Sequence, residues 1–160
     1  MPHKIIVGLI SDTHGLLRPE ALDLLRGSDF IVHAGDIGDP GIVTELARLA
    51  PVVAVRGNVD KAAWAQSIPS TDVLEVGGAA FLYVLHNIED LDLDPAAAGF
   101  HAVVFGHSHQ PGVRWKDGVL YVNPGSAGPR RFSLPISVGR LLVDAGTVSA
   151  ELIEIAPKSR

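Results

Sequence analysis

Short apolar runs alternate with helical stretches through the first third of the chain, and this pattern constrains the fold most. The apolar runs cover residues 5–10, 30–34 and 52–55, and helical stretches near residues 19–25 and 42–49 separate them. The runs lack period-two alternation, as expected of strands that are covered on both faces, although run length alone does not distinguish them from buried helix. The order of the elements predicts a βαβαβ unit with parallel strands.

The second half of the chain is predicted to be mostly β. A polar helical stretch near residues 61–66 precedes two apolar runs, residues 73–76 and 79–85, and the two glycines between them are typical of a hairpin. We expect antiparallel pairing to begin there. Further strands are predicted at residues 102–105, 113–115, 119–122, 137–143 and 148–155.

Composition favours one compact α/β domain over residues 1–160. Hydrophobic residues make up 47% of the chain and charged residues 19%, so a sheet core flanked by helices is easily built. The net charge of -5 argues against an extended nucleic-acid surface. The lack of cysteine excludes disulfides, thiolate metal ligands and a cysteine nucleophile. The apolar run at residues 5–10 is too short for a signal-peptide core or a membrane span, so we expect a cytoplasmic protein.

Seven residues that bind metals well lie where predicted strands end. They are Asp12, His14, Asp36, Asn58, His86, His107 and His109. Because ligands of open α/β sheets bind at the carboxyl ends of strands, we expect these side chains to face one cleft. Oxygen and imidazole donors that converge there suit two neighbouring divalent cations, which activate water against phosphate esters. The pattern predicts a metal-dependent phosphoesterase with a small phosphoester substrate.

Each motif also has an ordinary interpretation when it is taken alone. The Asp-x-His motif could be a helix cap or an Asx-turn, and Asp36 could be an ordinary aspartate at a strand end. Asn58 could belong to a plain turn, and the His-x-His motif to a polar turn. A lone histidine such as His86 is more often bound by a backbone carbonyl than by a metal. Only the coincidence of all the motifs favours a metal site.

Taken in order, these motifs resemble the calcineurin-like metallophosphoesterase superfamily, and most closely its small bacterial and archaeal phosphodiesterase branch. The motifs that carry the resemblance are Ser11-Asp12-Thr13-His14-Gly15, Gly35-Asp36, Gly57-Asn58-Val59-Asp60, His86, Gly106-His107-Ser108-His109 and Asn123-Pro124-Gly125-Ser126. The resemblance covers roughly residues 5–155.

The resemblance implies a four-layer α-β-β-α sandwich with two mixed β-sheets and a binuclear metal centre at the carboxyl ends of strands. The first ion would be held by Asp12, His14 and His109, and the second by Asn58, His86 and His107, with Asp36 bridging both. The residues expected to act in catalysis are Asp36, Asn58 and His107. The cofactors would be two divalent ions, with manganese as the first choice and iron, nickel or zinc as alternatives. An activated hydroxide would attack phosphorus in line, which predicts a phosphodiesterase.

The chain departs from the family pattern at two positions. Branch members usually have glycine after the histidine at position 86, where this chain has Asn87. Many larger relatives carry a histidine that is thought to assist the leaving group, and Val59 occupies that position here. The leaving oxygen must then take its proton from another group or from water, so good leaving groups are expected to react best.

Four further residues receive weaker assignments. His33, Arg130 and Arg131 are candidate substrate contacts, although His33 could equally be a packing residue and one arginine could be simply solvated. Asp60 could orient a histidine ligand from behind or could cap the next helix.

Two other classes of function compete with the enzyme. The family includes the retromer sorting subunit, a scaffold whose metal site degenerated, and a scaffold that binds protein partners is therefore the main alternative. Degeneration would replace ligands, and all seven are intact here. A purely structural metal site is disfavoured, because such sites prefer closed tetrahedral ligand sets. The sequence leaves the natural substrate, the preference for monoesters or diesters, and assembly into a homo-oligomer open.

Overall fold

The computed structural model describes residues 4–155, which contain two five-stranded β-sheets. The strands and α-helices in chain order are β1 (Ile5–Ile10), α1 (Pro19–Leu25), β2 (Phe30–His33), α2 (Pro40–Ala47), β3 (Val52–Ala54), β4 (Thr71–Val76), β5 (Ala80–Leu85), β6 (Ala102–Val104), β7 (Gly112–Lys116), β8 (Val119–Asn123), β9 (Ile136–Asp144) and β10 (Thr147–Ile155). Two 3-10 helices cover Ala63–Ser67 and Ile88–Asp90. The predicted domain of residues 1–160 extends beyond the described part.

The first sheet confirms the predicted βαβαβ unit. Strands β1, β2 and β3 are parallel neighbours, and α1 and α2 form the two crossovers. Both helices begin at a proline, whose fixed φ suits the first turn. The side chain of Asp39 also caps α2, because its Oδ1 accepts a hydrogen bond from Gly41 N at 2.8 Å.

Strands β9 and β10 complete the first sheet on the other side of β1. The strand order is β10-β9-β1-β2-β3, with β9 antiparallel to both β1 and β10. The last two strands of the chain therefore return to the sheet that contains the first three.

The second sheet has the order β4-β5-β6-β8-β7. The predicted hairpin of β4 and β5 is present, and β7 and β8 are also antiparallel. However, β5, β6 and β8 are parallel to one another, so the expectation of antiparallel pairing from residue 73 onward was wrong for these strands. Each parallel connection needs a crossover, and the segments between these strands supply it.

Three apolar clusters hold the layers together and confirm the α/β sandwich. One lies between the sheets and includes Leu9 and Leu82, and a second packs Leu25 and Leu46 of the helices against the first sheet. A third, around Tyr83, covers the outer face of the second sheet. The outermost layer there is the 3-10 helix Ile88–Asp90 and the segment that follows it, rather than an α-helix.

Within residues 4–155, no helix combines the length and the apolar character needed to cross a membrane.

Candidate metal centre

The loops that follow β1 and β2 are joined by backbone hydrogen bonds. Asp12 N donates to Gly35 O at 3.0 Å, and His14 N donates to Asp36 O at 2.9 Å. These bonds continue the pairing of the two parallel strands beyond their ends. They bring the carboxylates of Asp12 and Asp36 to the same side of the sheet edge.

The carboxylate of Asp12 is fully buried, and only one of its oxygens is satisfied by the protein. Oδ2 accepts hydrogen bonds from Ser11 Oγ at 2.7 Å and from His107 N at 3.1 Å. Oδ1 is buried and has no hydrogen-bond partner among the described residues, although His109 Nε2 lies 3.5 Å away. Burial raises the pKa of this carboxyl group. A cation is the partner that such an oxygen lacks.

The imidazoles of His14 and His109 meet beside Asp12. Their Nε2 atoms are 3.3 Å apart. Two nitrogen ligands bound at about 2.1 Å to one ion, at angles between octahedral and tetrahedral, are about 3.0 to 3.4 Å apart. His14 Nε2 lies 3.9 Å from Asp12 Oδ1. The spacing of the two nitrogens fits one divalent ion, whereas the distance from His14 to Asp12 is longer than that range.

Asp36 lies between two imidazoles. Its Oδ1 accepts a hydrogen bond from Val59 N at 3.0 Å, while its Oδ2 is 3.2 Å from His86 Nε2 and 3.6 Å from His14 Nε2. Burial would raise the pKa of Asp36, but the hydrogen bonds from His86 and Val59 N outweigh it and lower the pKa. Burial would lower the pKa of His86, but the hydrogen bond to Asp36 and the charge of Asp12 raise it.

A second group of donors surrounds His86. Its Nδ1 donates to Ala34 O at 2.8 Å, which orients Nε2 toward Asp36 and toward His107 Nδ1 at 3.3 Å. Asn58 is exposed and lines the same cavity as His86 and His107. The predicted ligands of the second ion therefore share one side of the site.

Glycines allow two of the loops to approach the carboxylates. A Cβ atom on Gly57 would overlap Asp36 Oδ1 and the Asp36 backbone nitrogen. A Cβ atom on Gly106 would overlap Ser11 Oγ and lie 2.6 Å from Asp12 Oδ2. The glycines that begin the Gly-Asn and Gly-His motifs are thus required by close packing.

The donors form two overlapping clusters. Within each cluster one ligand atom per residue lies within 4.8 Å of the others, and the clusters are Asp12, His14 and His109, and Asp12, Asp36 and His86. The first cluster has the same members as the predicted first ligand set. In the second cluster, Asp12 Oδ1 also lies 3.8 Å from His86 Nε2, a closeness that the sequence did not indicate. The assignment of individual ligands to two ions stays a prediction.

The structure places His33 behind the site. The side chain is fully buried, its Nε2 lies 3.0 Å from Thr13 Oγ1, and its Nδ1 accepts a hydrogen bond from Gly35 N at 3.1 Å. Burial lowers its pKa to about 4, so the ring is neutral at pH 7. This placement favours a role in positioning the two ligand loops over the predicted contact with substrate.

Asp60 joins two loops through backbone groups. Its Oδ2 accepts hydrogen bonds from Ile37 N at 3.0 Å and from Gly57 N at 2.9 Å, and its Oδ1 accepts one from Gly38 N at 3.0 Å. These bonds involve no histidine and no helix cap, unlike both alternatives that the sequence suggested. Asp60 instead ties the loop after Asp36 to the turn that carries the asparagine.

The two candidate arginines are exposed. Burial lowers the pKa of His109, and the positive charge of Arg131 lowers it further, which places Arg131 near the site. Contact of either arginine with a substrate stays a prediction.

The Asn123 to Ser126 loop forms hydrogen bonds with the backbone of two ligand loops, a role that the sequence did not indicate. Asn123 Nδ2 donates to Gly106 O at 3.1 Å, and Ser126 Oγ donates to Asp12 O at 3.0 Å. The loop thereby fixes the backbone of both the His-x-His and the Asp-x-His motifs. Polar residues directly after β8 were the available signal.

A cavity of about 610 Å³ opens beside the predicted second ligand set. Its wall includes Asn58, His86 and His107, together with the side chains of Arg56 and Lys61. Sequence reasoning missed both cations, although Arg56 stands two positions before Asn58 in the Gly-Asn motif.

Comparison with known proteins identifies the family. A family profile described as the calcineurin-like phosphoesterase superfamily domain matches residues 5–146. The chain belongs to the calcineurin-like phosphoesterase superfamily. A probable metallophosphoesterase from Methanothermobacter thermautotrophicus is 34% identical over 160 residues, which cover 93% of this chain and 92% of that protein. The resemblance predicted from the motifs is confirmed.

Two solved structures show the breadth of the superfamily fold. An archaeal phosphodiesterase matches with a TM-score of 0.79 at 21% identity, over 94% of this chain and 100% of the other. Vacuolar Protein Sorting 29 from Cryptosporidium parvum matches with a TM-score of 0.76 at 19% identity, over 96% and 99%. These likenesses concern the fold. Membership of the superfamily, together with the donor clusters, points to divalent metal ions and to hydrolysis of phosphate esters.

Proposed function

We propose that this protein is a phosphodiesterase that uses two divalent cations, with manganese as the first metal to test. The observation that carries the proposal is the position of Asp36 Oδ2, 3.2 Å from His86 Nε2 and 3.6 Å from His14 Nε2. One carboxylate oxygen between two groups of imidazoles suits a ligand shared by two ions. The unsatisfied Oδ1 of Asp12 supports the same interpretation.

The residues of the chain would divide the work as follows. Asp12, His14 and His109 would bind one cation, and Asn58, His86 and His107 the other, with Asp36 between them. Bound cations supply a water of lowered pKa and offset the charge that develops on the phosphoryl oxygens. The protein holds the donors in place through the Ala34 carbonyl behind His86 and the Asn123 to Ser126 loop. We also propose that the substrate is a small phosphoester, that the protein is cytoplasmic and that residues 1–160 form one domain.

The proposal predicts that hydrolysis depends on the shared carboxylate. Purified protein is assayed with bis(p-nitrophenyl) phosphate and Mn²⁺, and the assay is repeated with Asp36→Asn and His107→Ala. We expect the rate of hydrolysis to fall in each variant. The fall should exceed the roughly 10- to 100-fold loss that follows removal of a residue that only supports a metal ligand. Metal analysis on the same samples should show fewer ions bound per chain.

Asp23→Asn is the matched control, because Asp23 is exposed on α1 and pairs with Arg26 at 3.4 Å. It should retain wild-type turnover. Undiminished turnover in both Asp36→Asn and His107→Ala would show the assignment to be wrong.

The likeness to Vacuolar Protein Sorting 29 gives a second candidate, a scaffold that binds protein partners. The intact donor set favours the enzyme over this candidate. Protein purified without chelator that carries no divalent metal, and gains no hydrolytic activity when metal is added, would favour the scaffold.

A further inference from the structure

We propose that Arg56 and Lys61 form an anion subsite in the cavity beside the metal centre, so that the preferred substrates are phosphodiesters that carry a second phosphate group. The inference rests on the proposed phosphodiesterase function and adds a substrate class to it. It starts from Arg56, whose buried Nε has no hydrogen-bond partner among the residues that the structure describes.

Arg56 is the unusual residue of this cavity. Its side chain is partly buried, and its Nε is completely buried with no hydrogen-bond partner within residues 4–155. By contrast, Arg140 pairs with Glu151 at 2.8 Å, and the exposed Arg48 pairs with Glu45 at 3.4 Å. Buried polar groups are normally hydrogen-bonded, because leaving them unpaired costs free energy. Arg56 also lines the cavity, and a guanidinium there suits an anion such as phosphate.

The rest of the cavity wall agrees with this ligand. Lys61 adds a second positive charge, and its ammonium group forms no ion pair with another described residue. Tyr83 also lines the cavity, and its ring packs against Phe100 with the centroids 5.1 Å apart.

The size of the cavity indicates a substrate with more than the reacting phosphate. At about 610 Å³, the cavity lies in the range of pockets that hold ligands of drug or nucleotide size. Because Asn58, His86 and His107 are on its wall, a diester whose phosphorus lies at the metal centre would extend its other groups into this space. A second phosphate on that extension can reach the cations.

Carboxylates on the same wall do not cancel this charge. Asp60 is already bound to three backbone N–H groups. Asp90 and Asp92 are exposed, so water and salt screen them, as they also screen the exposed Lys61. Arg56 is partly buried, so its charge is screened less than theirs.

The test compares two esters that differ only in the second phosphate. The p-nitrophenyl ester of thymidine 5′-phosphate and the same ester with a 3′-phosphate share their reacting phosphorus and their leaving group. With Mn²⁺ and wild-type protein, we expect kcat/KM to be about tenfold higher for the 3′-phosphorylated ester. Arg56→Gln should remove most of this preference, and Arg56→Lys should restore part of it.

Lys61→Gln is the second variant, because Lys61 is exposed and its replacement leaves the packing intact. It should also reduce the ratio of the two kcat/KM values. Arg48→Gln is the matched control and should keep the wild-type ratio, since Arg48 is the C-cap residue of α2 and lies outside the cavity. A wild-type ratio near one, or equal losses on both esters in Arg56→Gln, would overturn the subsite.

A binding measurement separates this inference from the proposed function. Thymidine 3′,5′-bisphosphate is titrated into metal-free protein by calorimetry, and Arg56→Gln should weaken its binding by about tenfold. If wild-type protein hydrolyses neither ester with any metal, the proposed function fails while this titration still decides the subsite. Equal affinity in wild type and Arg56→Gln would refute the subsite even if the protein is an active phosphodiesterase.

Discussion

Five of the seven predicted ligands share an uncommon backbone conformation. Positive φ angles between 46° and 73° occur at Asp12, His14, Asp36, His107 and His109. Such angles are uncommon outside glycine, although aspartate and histidine tolerate them best, and they cluster at functional sites. Each costs of order 1–3 kcal/mol, so the surrounding hydrogen bonds must hold these loops. The side chains are thereby directed inward by a conformation that strands and helices do not offer.

His33 supports these loops only while it is neutral, and this gives a pH-dependent prediction. The unfolded chain takes up the proton near pH 6.5, whereas the folded protein resists it until about pH 4. Stability is therefore lost as the pH falls from about 6.5 to about 4, by about 3 kcal/mol in total. His33→Asn, which cannot take up this proton, should lack that part of the loss.

Urea unfolding of metal-free wild-type and His33→Asn protein at pH 7 and pH 4 measures this effect. The free energy of unfolding of wild type minus that of His33→Asn should be smaller at pH 4 than at pH 7 by about 3 kcal/mol. An advantage that stays constant with pH would contradict the explanation.

At the scale of elements, the site depends on loops from different strands that hold one another. Local apolar periodicity predicted the strands well: residues 5–10 and 19–25 match β1 and α1 at both ends. It could not predict that Asp60 would accept hydrogen bonds from the loop after β2 as well as from its own turn. That bond joins groups 23 residues apart, and sequence spacing carries no signal for it.

Replacement of Asp60 should therefore cost more than replacement of an ordinary cap. Asp60→Ala leaves three backbone N–H groups without their acceptor, and we expect the free energy of unfolding to fall by about 2–4 kcal/mol. Asp39→Ala is the matched control, because it removes the acceptor of one N–H group at the start of α2 and should cost about 1 kcal/mol. Urea unfolding at pH 7 measures both, and equal losses would contradict the bracing role.

At the scale of the whole molecule, the metal centre buries the carboxylates of Asp12 and Asp36 close together, which is unfavourable for two negative charges. Burial raises the pKa of Asp12, and the nearby Asp36 raises it further. The protein offsets this charge with His86, whose pKa is raised by the same two carboxylates. Divalent cations would offset it more completely, so binding and folding should be coupled.

Metal binding should thus stabilise the fold. At a free Mn²⁺ concentration 100 times the dissociation constant, one site adds about 2.7 kcal/mol. We expect thermal unfolding to shift upward with Mn²⁺ in wild type and in Asp23→Asn, and to shift less in Asp12→Asn. Equal shifts in all three proteins would show that the metal binds elsewhere.

The sequence by itself determined where the strands end and which oxygen and nitrogen donors follow them, because apolar runs and ligand chemistry are local properties. The tertiary structure decided the rest: it returned β9 and β10 to the first sheet, made β5, β6 and β8 parallel, placed His33 behind the loops and buried the Nε of Arg56 with no hydrogen-bond partner in the described part of the chain. These features arise from contacts between distant segments, whose free energies depend on the packing of the complete core and are not encoded in the spacing of neighbouring residues.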